Sequence, residues 1–234
     1  NLHEEALAEL APGARQPAGA VRVAASTVPG IYLLPPQLAR FRERFPGVTL
    51  NLAIMDSAAV LGKVLNYSVD LGFVGEEVTE ERVESFVFAE DELVLISPPG
   101  LLDQQVIETG SAGQAVVELV SCLSYPLLLR EKGSATRHLF EEALLKMGLG
   151  WSDFAGIIHV DSLEAIKQGV RYGLGLSPVS KHSIEDYARA GLISVYHLAE
   201  LNLTRQLYLV RRRRRILSRA AQAFFDFLLE KGKI

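Results

Sequence analysis

The chain has 234 residues, 49% of them apolar and 22% charged, with a formal net charge of −4 and one cysteine. That length allows two small lobes or one large domain, and the apolar fraction is enough for a core without covalent staples. The lone Cys122 excludes an intrachain disulfide and a cysteine-rich metal site, and the acidic balance argues against this segment alone binding nucleic acid.

Residues 1–18, NLHEEALAELAPGARQPA, read as the end of a linker helix followed by a linker, with Leu2, Leu7 and Leu10 on the helical turns and Pro12, Gly13 and Pro17 breaking them. A disordered tail fits the same residues. The first residue is Asn1 and not Met, which reads as a fragment or a processed product. Next, GAVRVAASTVPGIYLLPPQLARFRERFPGV (Gly19 to Val48) holds a strand, a polar stop and an amphipathic helix. Val21 and Val23 mark the strand and Ser26-Thr27 the turn. Leu34, Leu38, Phe41 and Phe45 form the apolar face of the helix, opposite Arg40, Arg42, Glu43 and Arg44. Pro46-Gly47 ends it.

A strand from Val48 follows, with Val48, Leu50, Leu52 and Ile54 on one face. Asp56-Ser57 then opens a short helix carrying Val60, Leu61, Val64 and Leu65, and Val69 to Gly75 (VDLGFVG) is a third strand. This β-α-β-α-β order favours a parallel sheet, whose ligands sit beyond the carboxyl ends of the strands. Three such ends are Ser26-Thr27, Asp56-Ser57 and Phe73 to Gly75. Glu84 to Gly100 reads as two strands stopped by Pro98-Pro99-Gly100, where a lobe boundary fits. A short helix is expected near 112–121.

A second α/β cycle begins at Tyr125 to Leu129. Arg130 to Arg137 is its polar turn, and the helix after it turns Leu139, Phe140, Ala143, Leu144 and Met147 inward. Phe154 to Val160 is a strand, Asp161-Ser162 caps a helix that buries Leu163, Ile166 and Val170, and Gly173 to Ser180 is a short strand and turn. A helix over 180–190, strands over 192–198 and 203–212, and an amphipathic helix from Ile216 to Lys231 complete the chain. The expected organisation is lobe I over 19–97 and 200–234 and lobe II over 98–199, an α/β fold of two Rossmann-like lobes joined by two crossover strands and able to close by hinge motion.

Ser26-Thr27, Asp56-Ser57, Ser134-Thr136 and Asp161-Ser162 each read in two ways. Each is a helix cap, and each is also a place where outward N–H groups and hydroxyls suit a carboxylate, sulfate or phosphate. Asp161 opposes an anion by its charge. Small residues from Gly133 to Thr136 let backbone N–H groups approach a ligand, without the Gly-Lys-Ser/Thr ending of a phosphate-binding P-loop. Gly173-Leu174-Gly175 reads as a tight turn and close packing, with Ser177 beside it as a possible lining residue. Arg211 to Arg215 reads as a solvated turn, with an acidic partner or nucleic acid as the other reading. The five histidines lack metal-ligand spacing, no Gly-x-Ser-x-Gly elbow occurs, and Cys122 reads as structural. No catalytic residue, metal or cofactor is expected.

Four segments, the Gly19 to Val48 stretch, VDLGFVG, LLLREKGSATR and VDSLEAIKQGVRYGLGLSPVS, resemble in order and spacing the effector-binding domain of LysR-type transcriptional regulators over residues 19–231. That family's fold is the two-lobed arrangement also seen in periplasmic solute-binding proteins. The resemblance implies an effector between the lobes, contacted from Ser26, Thr27, Phe73, Gly75 and Ser97, and from Gly133, Ser134, Thr136, Asp161 and Ser162; the reading of the residues themselves adds Ser57 and Ser177 and makes the ligand small and anionic. Arg130-Glu131 with GSATR is similar to the subgroup linked to sulfur and related oxyanion metabolism. Ala135 stands where the family often has a second glycine. The resemblance also implies a cytoplasmic regulator with no membrane segment, binding DNA through an N-terminal winged helix-turn-helix not in this chain. It implies a homodimer or homotetramer using residues from Pro35 to Phe45, positions that otherwise face only the home sheet. An extracytoplasmic solute-binding protein of a transporter is the alternative on the same fold.

Overall fold

The computed structural model describes residues 16–109 and 114–230. In chain order its elements are β1 (Gly19–Ala25), α1 (Leu34–Arg44), β2 (Val48–Ile54), α2 (Ser57–Leu65), β3 (Leu71–Val74), β4 (Val83–Ser97), β5 (Val106–Thr109), β6 (Ala115–Val117) and α3 (Leu119–Cys122). Then come β7 (Pro126–Leu129), α4 (Ala135–Lys146), β8 (Gly156–His159), α5 (Leu163–Arg171), β9 (Ser177–Ser180), α6 (Glu185–Arg189), β10 (Ser194–Leu198), β11 (Thr204–Arg212) and α7 (Arg219–Glu230). The linker helix expected within residues 1–10 lies outside the described residues. Of the helix expected near 112–121, residues 112 and 113 also lie outside them, 115–117 form the strand β6 instead, and only the short α3 at its end is helical.

The chain forms two units, one running to Glu90 and resuming at Gln206, the other spanning Asp91–Arg205. The chain therefore passes between them inside β4 and β11, not at Pro98-Pro99-Gly100 or near residue 200. The expected pair of strands over Glu84 to Gly100 is one strand of 15 residues. Nothing between Val83 and Ser97 breaks a ladder. The acidic Glu90-Asp91-Glu92, which mimics a turn, is accommodated by ion pairing.

In the first unit β1 is central, parallel to both β2 and β3, with β11 antiparallel to β3. The amphipathic spacing of α1 sends Phe41 into the core, where its ring meets Phe45 and Phe224 at 4.8 Å and Phe227 at 5.4 Å. The helix begins earlier than the sequence suggests. Thr27 and Val28 are already helical, and Pro29–Leu33 is a π-turn whose Leu34 N–H bonds back to the Pro29 carbonyl. Pro35 and Pro36 have no N–H and crowd the carbonyls four residues back, so the turn before them widens. At β2 the outer end departs from expectation: Val48 is buried, but Ile54 is 46% exposed because β2 is the edge strand.

The arginine run is a solvated turn only at Arg213-Arg214. Arg211 donates to Glu84 at 2.8 Å and lies over the Phe225 ring at 4.2 Å, while Arg212 covers Tyr67 at 4.9 Å. Arg215 donates to the buried Asp70 carboxylate. The other oxygen of Asp70 accepts the Arg22 N–H at 2.8 Å. Arg213 and Arg214 alone of the run are exposed. A strand end that must leave a buried carboxylate paired holds its arginines in place.

In the second unit β4 pairs with β9 and β10, β10 with β6, and β6 with β5. A separate parallel pair, β7 and β8, brackets α4 in a β-α-β unit. The core gathers Phe140, Leu127, Leu129, Leu176 and Tyr196. The Tyr196 hydroxyl donates to Asp103 at 2.7 Å, and burial together with that carboxylate raises its pKa. Met147, expected inward, is 41% exposed because α4 has ended there, one residue before the left-handed Gly148. The helix expected over 180–190 is a 3-10 turn, Lys181–Ser183, followed by the short α6. Asp91 and Arg205, the first and last residues of this unit, form a buried ion pair with contacts of 2.9 and 2.7 Å, and Ser180 donates to the same carboxylate at 2.6 Å.

Three outcomes follow from these packings. Gly175 has φ +152, and a Cβ there would lie 2.3 Å from the Pro126 carbonyl oxygen, whereas Gly173 at φ +87 faces open space. Denaturant unfolding should show Gly175→Ala costing about 2–4 kcal/mol and Gly173→Ala about 1 kcal/mol. Asp91→Ala leaves Arg205 buried without its carboxylate and should cost about 3–5 kcal/mol in the same assay. Cys122 is buried and burial raises its thiol pKa to about 11. A thiol-disulfide colour reagent at about pH 8 should therefore leave it unmodified until denaturant is added.

Candidate functional site

In the first unit the sheet brings together three of the predicted strand ends. The parallel register of β1 with β3 places Ala25 beside Phe73, and the Ser26 N–H donates to the Phe73 carbonyl at 2.7 Å. The Ser26 carbonyl accepts the Gly30 N–H at 2.9 Å, which closes the first turn of the helical run. Ser57, the first residue of α2, is buried and its Oγ accepts the Gly75 N–H at 3.2 Å. That bond uses an oxygen lone pair and leaves the hydroxyl proton to donate. Capping of α2 is done by Asp56, which accepts the Ala59 N–H at 2.8 Å. The cap and the neighbouring hydroxyl thus have separate tasks, which the Asp56-Ser57 pair did not reveal in sequence.

Phe73 contributes no side chain to this turn. Its ring is fully buried and meets Phe88 edge-on at 4.9 Å, so only its backbone reaches the strand end. Thr27, half-buried at the start of the helical run, and Ser26, buried at 8% exposure, are the polar side chains beside it.

In the second unit the turn after β7 is built differently from the caps of α2 and α5. Ser134 is the N-cap residue of α4, but its side chain makes no capping bond. Its N–H donates to the Glu131 carbonyl at 3.1 Å, its carbonyl accepts the His138 N–H at 3.0 Å, and Thr136 follows in the first helical turn. Gly133 is half-buried before it. At α5, Ser162 does cap, accepting the Ala165 N–H at 3.3 Å, and both Asp161 and Ser162 are exposed.

Two predicted residues belong to the framework. Ser177 is 1% exposed and donates to the Leu128 carbonyl at 2.9 Å, tying β9 to β7. Ser97 is fully buried and donates to the Pro98 carbonyl at 2.6 Å. In each the hydroxyl proton satisfies a buried carbonyl, which leaves the oxygen's lone pairs to accept.

Arg130 was not among the predicted contacts, although a charge pair at the end of the wholly apolar PLLL strand was its signal. It is 8% exposed, and its Nε and Nη2 donate to the two oxygens of Glu131, each at 2.7 Å. Arg137 donates to the Arg130 carbonyl at 3.1 Å, and its guanidinium lies 5.7 Å from the centre of the Trp151 ring. Elsewhere on the first unit a groove of about 740 Å³ is lined by Tyr67, Arg82 and Arg212 to Arg214 among others. Glu80 borders it. The hydrogen bonds that Arg82 donates hold the Glu80 carboxyl down at about 2. Among the described residues no group of three or more His, Cys, Asp or Glu could hold a metal ion, and no helix is long and apolar enough to cross a membrane.

The chain is similar to known proteins in sequence and in fold. Residues 14–233 match the model of the LysR substrate binding domain. The HTH-type transcriptional regulator YeiE of Escherichia coli K12, itself described as uncharacterized, is 33% identical over 213 residues, covering 91% of this chain and 69% of that protein. The regulatory domain of Synechocystis PCC6803 CcmR, solved in complex with 2-PG, superposes with a TM-score of 0.79 at 24% identity, covering 92% of this chain and 98% of that one. The effector binding domain of QuiR in complex with shikimate also gives 0.79, at 18% identity, covering 93% and 98%. These two likenesses show the fold, the two-lobed α/β architecture expected from the sequence. On the family match and the YeiE relationship, the chain belongs to the LysR substrate-binding domain family.

Proposed function

We propose that this domain senses a small anion through the strand-end turns of both units and acts as the regulatory part of a cytoplasmic, DNA-binding transcription regulator, without catalysis of its own. The observation that carries the reading is the first unit's cluster, where hydrogen bonds draw Ser26, Ser57, Phe73 and Gly75 to the carboxyl ends of parallel strands. Ser26, Thr27 and Ser57 supply hydroxyls there. Gly133, Ser134 and Thr136 supply a turn whose helix is not capped by its own side chain. Hydroxyls and backbone N–H groups bind anions but do not catalyse without a base. Asp161 and Ser162 take a peripheral role in this reading, since Ser162 is occupied by its own helix.

Regulation would come from differential affinity. An effector that binds one conformation better shifts the domain toward it, with typical couplings of about 1–3 kcal/mol. A homodimer or homotetramer would carry that shift to DNA held by a separate helix-turn-helix. Within Pro35 to Phe45, Leu34's neighbour Phe41 faces the home core, whereas Pro35, Pro36 and Ala39 are exposed and available to a second copy.

Calorimetry and thermal melting against sulfate, phosphate and small carboxylates test this reading. At least one anion should raise the melting temperature by several degrees at saturating concentration. Thr27→Ala should weaken its binding about tenfold with little change in the unliganded melting temperature. A domain that no anion stabilises would sink the proposal.

A further inference from the structure

Arg130 sits at the end of β7 with its guanidinium almost wholly removed from water, its side chain 9% exposed against 26% for that of Glu131. A buried guanidinium needs an anion beside it, because an isolated charge in the interior costs far more than it can return. Here the anion comes from the next residue in the chain. Successive side chains of a strand point to opposite faces, so a two-pronged pair between neighbours forms only where the chain turns at once. The turn is present: the Ser134 N–H closes it on the Glu131 carbonyl, and Arg137 holds the Arg130 carbonyl.

Glu131 therefore fills the fork of Arg130 with the planar, two-oxygen geometry by which arginine recognises an external carboxylate or phosphate. The two partners differ in freedom. Glu131, the more exposed, can swing its carboxylate into water, while Arg130 is fixed in the protein.

We propose that Glu131 is an internal competitor for the effector, holding the Arg130 fork until an oxyanion displaces it. The inference rests on the effector reading of the adjoining Gly133 to Thr136 turn. Displacement sets a threshold: an incoming anion gains only the difference between its own pairing and that of Glu131. A neutral ligand gains nothing from the fork. Weakly pairing background anions leave the carboxylate in place, and a strongly pairing sulfate- or phosphate-type group expels it.

The test uses this chain and its Glu131→Gln variant, titrated calorimetrically with inorganic sulfate and with inorganic phosphate. Melting is followed with and without saturating sulfate. Glu131→Gln should bind both anions about tenfold more tightly. It should melt below the parent without sulfate and lose that deficit when sulfate is saturating. Glu131→Asp, which keeps the charge, should stay within a few-fold of the parent, and Glu131→Ala serves if the glutamine variant does not fold. Unchanged or weaker binding in the neutral variants overturns the inference alone. An equal melting deficit with and without sulfate does so as well, since it marks a purely structural pair. No sulfate or phosphate binding in either the parent or the variants overturns the proposed effector class, and this inference with it.

Discussion

The pairing of Asp91 with Arg205 is the constraint on which the organisation of the chain depends. The second unit is an insertion in the first, so the chain must leave and return close to the same place. Those two residues are its first and last, 114 positions apart, and their side chains are 0% and 7% exposed. The charges are far enough from water that each needs the other, and two guanidinium N–H groups of Arg205 converge on one carboxylate oxygen, Oδ2, while Ser180 takes the other. Ser180 adds a third strand to the same carboxylate, so β4, β9 and the start of β11 are registered by one polar centre. Hydrophobic burial drives the collapse of each unit and sets which strand face turns inward, and the ion pair adds a directional constraint to the register.

The first unit uses the same device at its own margin. Asp70 at the head of β3 accepts from the backbone and side chain of Arg22 on β1 and from Arg215 beyond β11. The parallel register of β1 with β3 follows, and with it the meeting of Ser26 with Phe73 at the opposite end of those strands. A sheet that is pinned at its amino ends delivers its carboxyl ends in a fixed relation, which is what a binding site built from separate turns requires. The hydroxyls at the site are thus positioned by charges remote from it.

The two candidate turns differ in how they meet an anion. In the first unit the donors are hydroxyls and backbone groups with no fixed charge among the site residues. In the second, Arg130 is a full charge held ready but already occupied by Glu131. The first turn therefore offers orienting donors and the second a charge that is already paired within the protein.

The sequence by itself determined the element types, the parallel β-α-β order of the first unit and the turns at which polar residues stop apolar strands. These are local properties: helical spacing in Leu34, Leu38 and Phe41, a four-residue apolar run before Arg130, caps at Asp56 and Ser162. The two α/β halves follow from the order of elements, and the ordered motifs add the resemblance that names their fold. Only the tertiary structure decided what each serine hydroxyl is bonded to. Ser57 and Ser177 look alike in sequence, and they part because Ser57 meets a backbone N–H at a strand end while Ser177 meets a carbonyl within the sheet. The same holds for the charges. Arg211 to Arg215 read as solvated because nothing near them in the chain neutralises them. Their partners lie as far as 145 residues away, and a charge paired at that separation is invisible until the chain has folded.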